Sequence, residues 1–155
     1  MIKVMFVCHG NICRSPMGEV ILNDMLREAG LDGICTAASC AVSREEIGNP
    51  IYPPAARTLK AHGHAVPRRQ ARQVRREDYD LYYKFLLMDE SNLRLIRRFF
   101  PEDPAHKIVL LPELAGKPGT EVSDPWYTGD FEAAYRDIAE GCRAIVDRLL
   151  DGEML

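Results

Sequence analysis

The chain has 155 residues, 46% of them hydrophobic, a length that suits one domain spanning residues 1–155 with a core that closes without staples. A formal net charge of -3 argues against a dedicated nucleic-acid binder, and no apolar run approaches the roughly 20 residues that cross a bilayer. Five cysteines, at 8, 13, 35, 40 and 142, make an odd count, which fits free thiols in a reducing, cytoplasmic compartment better than a paired extracellular framework.

Residues 2–7 form a short apolar run ended by Gly10 and read as a buried strand. The run is too short for a signal peptide and lacks a small-residue cleavage site. Arg14-Ser15-Pro16 then opens a helix, with Ser15 placed to cap it and Pro16 preset for its first turn. Val20, Ile21, Met25 and Leu26 supply its apolar face, and Gly30 ends it. Residues 34–38 predict a second strand, and 39–54, rich in Ser, Gly, Asn and Pro, a loop. A helix is expected over 55–62 and a third strand over 81–88. A further helix follows, capped by Ser91 or Asn92 and stopped at Pro101. Residues 108–111 read as a fourth strand, and the Pro- and Gly-rich 112–130 as a long loop of the kind that carries function. Phe131, Ala134, Tyr135, Ile138, Cys142, Ile145, Val146 and Leu149 share one helical face over 131–150. The alternation predicts a three-layer α/β sandwich, a four-stranded parallel sheet flanked by helices.

The chemistry concentrates in Cys8-His9-Gly10-Asn11-Ile12-Cys13-Arg14-Ser15, between the end of the first strand and the start of the first helix. α/β sheets bind ligands at such places. A helix N-terminus leaves backbone N–H groups unpaired, and a short loop wrapped there makes a nest for a phosphate-sized oxyanion. Gly10 and Asn11 are the residue types most able to take the positive φ a tight nest needs. Arg14 offers a planar fork for two oxygens. Cys8 falls at the bottom, where the helix dipole and Arg14 favour a thiolate, and Ser15 can donate a hydrogen bond to its sulfur. A thiolate beneath a phosphate cradle points to attack on phosphorus through a cysteinyl-phosphate. A nucleotide-binding loop of the Walker type is a poor fit, because the Gly-Lys-Ser/Thr ending is missing. A bare Cys-x5-Arg also occurs in structural turns; the Ser after the Arg and the strand–helix setting make this one specific.

Val7 to Met17 resembles the signature of the low-molecular-weight protein tyrosine phosphatases, which are about this long and carry it at the N-terminus. Thr36-Ala37-Ala38-Ser39, Ala71-Arg72-Gln73-Val74, Met88-Asp89-Glu90-Ser91-Asn92-Leu93 and Asp124-Pro125-Trp126-Tyr127 are similar as well, so the resemblance covers the whole chain. It implies tyrosine-phosphorylated proteins as substrates, with no cofactor, metal, membrane or specific nucleic acid involved. It also implies that Asp124 is the general acid and base, that Trp126 and Tyr127 wall the pocket, and that Thr36 supplies the supporting hydroxyl. Cys8 and Cys13, two thiols in one tight loop, would form a reversible disulfide, with Cys13 as redox guard.

The chain departs from the family in two places. The family's variable loop usually has an aromatic early on; residues 40–47 have none before Tyr52. Where the family often has His ahead of Ala71, this chain has Arg69. Protein arginine phosphatases and arsenate reductases resemble the same fold. The former tend to have Thr at the position of Ile12, and the latter need redox cysteines that residues 79–95 lack. His9 is expected near the rim as a solvated neighbour. The basic stretch 57–76, with seven Lys/Arg and no acid, is expected as a solvated face.

Overall fold

Successive side chains of a strand point to opposite faces of its sheet, and the first strand buries both. In the computed structural model, which describes residues 1–155, β1 (Ile2–Cys8) sends Val4, Phe6 and Cys8 into one core and Met5 and Val7 into another. A strand buried on both faces belongs in the middle of a parallel sheet. The order is β2-β1-β3-β4, all parallel, with β2 at Cys35–Ala41, β3 at Lys84–Leu87 and β4 at Ile108–Leu110.

The face holding Cys8 is covered by α1 (Arg14–Glu28), α2 (Pro53–Ala61), the short α5 (Leu111–Leu114) and α7 (Phe131–Leu150). The opposite face carries α3 (Asp78–Leu81) and α4 (Glu90–Ile96), with Tyr79, Phe85, Ile96 and Phe100 in its core. The three-layer sandwich is therefore as expected. Helix α1 lies hard against β1, because Gly18 has no side chain: a Cβ there would come within 2.5 Å of the Phe6 ring. That closeness brings α1 against the strand whose end carries Cys8.

Several boundaries differ from the sequence pattern. β2 runs on to Ala41, since residues 39–41 pair with Phe6, Val7 and Cys8; their small side chains merge in the sequence with the Gly- and Pro-rich stretch that follows. The third strand begins only at Lys84, after the single turn of α3. Helix α4 is capped by Asp89 rather than by Ser91 or Asn92, and it is shorter than expected. Asp89 accepts from the Asn92 backbone while Asn92 receives the N–H of Asp89, a reciprocal capping box. The stretch 112–130 is not all loop: it holds part of α5 and a one-turn helix, α6 (Pro125–Thr128), that ends at Gly129 with φ 72°. No helix is long and apolar enough to cross a membrane.

Candidate active site

The loop from Cys8 to Arg14 is a bowl of N–H groups, and the direction of its peptides can be read from where its carbonyls go. In a trans peptide the C=O and the following N–H point opposite ways. The carbonyls of Cys8 and His9 accept from the backbone N–H of Val42 and Ser43 at 3.0 and 3.1 Å. The Ile12 carbonyl accepts from Tyr52 at 2.8 Å and that of Cys13 from Met17 at 3.1 Å. The Asn11 carbonyl accepts from Arg69 Nη2 at 2.7 Å. Each donor pulls a carbonyl outward and turns the next N–H inward. The N–H groups of His9, Gly10, Ile12, Cys13 and Arg14 accordingly have no partner within the protein.

Cys8 sits among donors. Its sulfur accepts from the N–H of Asn11 at 3.3 Å and of Ser15 at 3.4 Å, and the Ser15 hydroxyl is 3.0 Å away. Ser15 does not cap α1. Cys13 occupies the N-cap without a side-chain bond, so the Ser15 hydroxyl is free for the sulfur.

Asn11 locks the loop from beneath. It alone in the loop takes the left-handed conformation, at φ 59°. Gly10 does not need it; a side chain there would instead press on Glu46, whose Cγ lies 3.2 Å from the position of a Cβ. The Asn11 Oδ1 accepts from the Arg72 N–H at 3.1 Å, which fixes Nδ2 as donor to Ser15 Oγ at 2.8 Å and Ser39 Oγ at 2.9 Å. The Ser39 hydroxyl gives its own hydrogen to Glu19 at 2.6 Å. The Ser15 oxygen, already an acceptor, is left with its hydrogen for Cys8.

Ser39, not Thr36, is thus the hydroxyl beneath the loop. Positions 36 and 39 differ by an odd number, so they lie on opposite faces of β2. Ser39 shares the face of Cys35 and Ala37, which pack with Cys8; Thr36 shares the face of Ala38 and Cys40.

Arg14 is only 1% exposed. Its Nη1 donates to Asp89 Oδ2 at 2.7 Å and to the Val122 carbonyl at 2.8 Å, and Nη2 donates to Asp124 Oδ2 at 3.3 Å. The Nε is buried without a partner in the protein. Burial works against the charge, but Cys8, Asp89 and Asp124 outweigh it and hold the guanidinium above its ordinary value. Asp124 divides its carboxylate: Oδ1 caps α6 by accepting from Trp126 at 3.0 Å, while Oδ2 faces Arg14. Cys8, Gly10, Ile12, Cys13, Arg14, Asp124, Trp126 and Tyr127 line a single cavity.

A family model described as "Low molecular weight phosphotyrosine protein phosphatase" matches residues 3–153. The chain belongs to this family. It is 35% identical over 147 residues to the low molecular weight protein-tyrosine-phosphatase YfkJ of Bacillus subtilis, covering 94% of each chain. The crystal structure of YfkJ superposes with a TM-score of 0.93, covering 99% of this chain and 98% of that one. The human low molecular weight phosphotyrosine protein phosphatase is 35% identical over 151 residues, with 94% of each covered. Wzb of Vibrio vulnificus, solved in complex with benzylphosphonate, is 28% identical with a TM-score of 0.82, covering 95% of this chain and 98% of that one.

In this phosphatase the variable-loop side of the cavity, which lacks the early aromatic usual in the family, is acidic. Glu45 and Glu46 line it. His9 sits at the rim, partly exposed to solvent as expected, with its Nε2 3.0 Å from Glu45 Oε2. Tyr52 still serves the wall, but from behind: its ring stacks obliquely on Trp126 with centroids 4.9 Å apart. The phosphatase also turns two of the arginines of 57–76 inward. Arg69 reaches Asn11, and Arg72 forms a two-pronged pair with Asp78 at 3.0 and 3.1 Å. Three working residues escaped sequence reasoning, Asp89, Ser39 and Glu19. Asp89 carried a signal, a capping residue at the end of a predicted strand, but nothing local ties it to Arg14, 75 residues away.

Proposed function

We propose that the phosphatase hydrolyses phosphotyrosine in tyrosine-phosphorylated proteins by way of Cys8, Arg14 and Asp124. The arrangement that carries this reading is the cluster of five unpartnered N–H groups and a buried guanidinium gathered over one sulfur. The phosphate oxygens take those N–H groups and the free Arg14 donors. Cys8 attacks phosphorus; the S–P bond forms as the bond to the phenolic oxygen breaks, and Asp124 in its acid form gives that oxygen a proton. Water then attacks the cysteinyl-phosphate and yields its proton to Asp124. The S–P bond breaks, phosphate leaves, and the sulfur departs towards the Ser15 hydroxyl.

Ile12, Trp126 and Tyr127 give the cavity apolar walls, which suit a flat ring at the depth of a phosphotyrosine. A bulky Ile12 disfavours the polar guanidinium of phosphoarginine. The benzylphosphonate bound by the Vibrio vulnificus relative is an aryl ligand of similar shape. All five cysteines are free and buried, in keeping with a reducing, cytoplasmic location. The decisive experiment measures hydrolysis of phosphotyrosine, phosphoserine and phosphoarginine peptides by the wild type and by Cys8→Ser. Loss of phosphotyrosine hydrolysis in Cys8→Ser is expected. Retained activity refutes the covalent route, and a preference for phosphoarginine refutes the substrate class.

A further inference from the structure

A second depression opens beside the catalytic cavity. His9 and Glu45 belong to both, so a ridge formed by that pair, 3.0 Å apart, divides them. Beyond the ridge, Ser43, Arg44, Gln73 and Arg98 line a groove of about 520 Å³. Two distant segments build it, the loop after β2 and the end of α4. They meet because Val42 and Ser43 are bonded to the carbonyls of Cys8 and His9, while Leu95 packs on the same core as Val42.

The groups left free in the groove are donors. Arg44 and Arg98 are exposed and form no ion pair. The Ser43 oxygen accepts from the Glu45 N–H at 3.4 Å, which leaves the hydroxyl hydrogen unspent. Gln73 Nε2 gives one hydrogen to the Val42 carbonyl at 3.1 Å and keeps the other. The one carboxylate, Glu45, stands on the ridge with His9 as its partner. Two unpaired guanidinium forks with neutral donors beside them are complementary to an anion. The catalytic cavity offers no such complement on this side, since Glu45 and Glu46 line it there. An anion other than the reacting phosphate finds its match only past the ridge.

We infer that the groove of Arg44 and Arg98 is an anion subsite for the substrate polypeptide: it takes a second anionic group, a carboxylate or a phosphoryl group, carried a few residues from the phosphotyrosine that enters the Cys8 cavity. This rests on hydrolysis of phosphotyrosine at Cys8. The spacing follows from the shared ridge. An extended chain advances about 3.3 Å per residue, and a single side-chain pair divides the two sites, so both anions belong to near neighbours in one substrate chain. The subsite selects among substrates and takes no part in the chemistry, because neither arginine lines the catalytic cavity.

The test measures kcat/KM on phosphotyrosine peptides with neutral flanks, with glutamates flanking the phosphotyrosine, and with phosphoserines in place of those glutamates. The enzymes are wild type, Arg44→Gln/Arg98→Gln, and Lys60→Gln/Arg143→Gln, which removes the same charge from exposed positions of α2 and α7. Nitrophenyl phosphate reports the chemistry alone. Wild type should favour the glutamate peptide over the neutral one by about threefold to tenfold, the scale of one or two exposed ion pairs. It should favour the phosphoserine peptide by more, since a phosphoryl group carries nearly twice the charge. The preference should fall with added salt and vanish in Arg44→Gln/Arg98→Gln, while nitrophenyl phosphate hydrolysis stays at the wild-type rate. Absence of any preference in the wild type overturns the subsite, and so does its survival in Arg44→Gln/Arg98→Gln. An equal loss of preference in Lys60→Gln/Arg143→Gln overturns it too, because that marks diffuse attraction. So does an equal loss on nitrophenyl phosphate, which marks damage to the catalytic loop. Wild-type enzyme that hydrolyses none of the peptides would instead refute the phosphotyrosine reading itself.

Discussion

The two halves of the active site are built in opposite ways. The cradle, residues 8–15, is part of the core: Asn11, Arg14 and Ser15 are each at most 1% exposed, and its outward groups are tied to the scaffold while five N–H groups stay unpartnered. The acid arm around Asp124 stands in solvent, with Trp126 53% and Tyr127 84% exposed. The arm is attached to the cradle through Arg14, which bonds Asp124 and the Val122 carbonyl together. On the proposed mechanism, the difference follows from what each half must do. An oxyanion hole works by being fixed before the charge arrives. A proton donor must reach leaving groups carried by different protein surfaces, and an exposed arm leaves room for them.

That contrast can be tested at the arm, the strap and the cradle. The largest effect is expected from Asp124→Asn. It should lower turnover of phenyl phosphate and phosphotyrosine by about 10²–10⁴-fold, yet spare nitrophenyl phosphate, whose leaving group needs no proton. Burst kinetics with both substrates would check this; an equal loss on both would mean that Asp124 acts by shaping the cradle. Next comes Asp89→Asn, directed at the strap. The amide can still cap α4 through its oxygen, but it then turns an N–H2 group towards the Arg14 donor. Losing that charge-assisted bond should weaken phosphate inhibition by about tenfold to a hundredfold. Unchanged inhibition would leave Asp89 a helix cap only.

The smallest effect on turnover belongs to Cys13→Ala, inside the cradle but off the chemistry. Burial, reinforced by the nearby Cys8 and Asp124, pushes the Cys13 thiol well up from its usual range, so it stays a thiol, and on the proposed mechanism the nucleophile Cys8 is the group expected to meet peroxide. Condensation of a Cys8 sulfenic acid with that thiol gives a disulfide and water. Turnover should be nearly unchanged in Cys13→Ala, whereas peroxide inactivation, reversible by dithiothreitol in the wild type, should become irreversible. Full recovery of the variant would remove Cys13 from any protective role.

Local chemistry made the cradle legible. Cys8, Gly10, Asn11, Arg14 and Ser15 act on one another across a few bonds, and the flanking strand and helix announce themselves by the periods of their apolar residues. The arm was legible only as a turn of unusual composition, and its role came from resemblance. Thr36 shows how such reading fails. Its hydroxyl has the right chemistry in the right strand, but strand parity puts it on the wrong face, and parity became certain only when β2 was seen to pair as far as Ala41.

The sequence by itself determined the class of fold and singled out the Cys8–Ser15 loop on which the proposed mechanism rests, because each depends on contacts between near neighbours. Tertiary structure decided what lies outside that range: Asp89 and Val122 bonding Arg14, Ser39 and Glu19 ordering the hydroxyls, Arg69 bonding the Asn11 carbonyl. Each of these is a hydrogen bond between groups 20 to 108 residues apart. A hydrogen bond requires positions defined to a few tenths of an ångström, and only the packed sheet and its helices fix distant residues that closely.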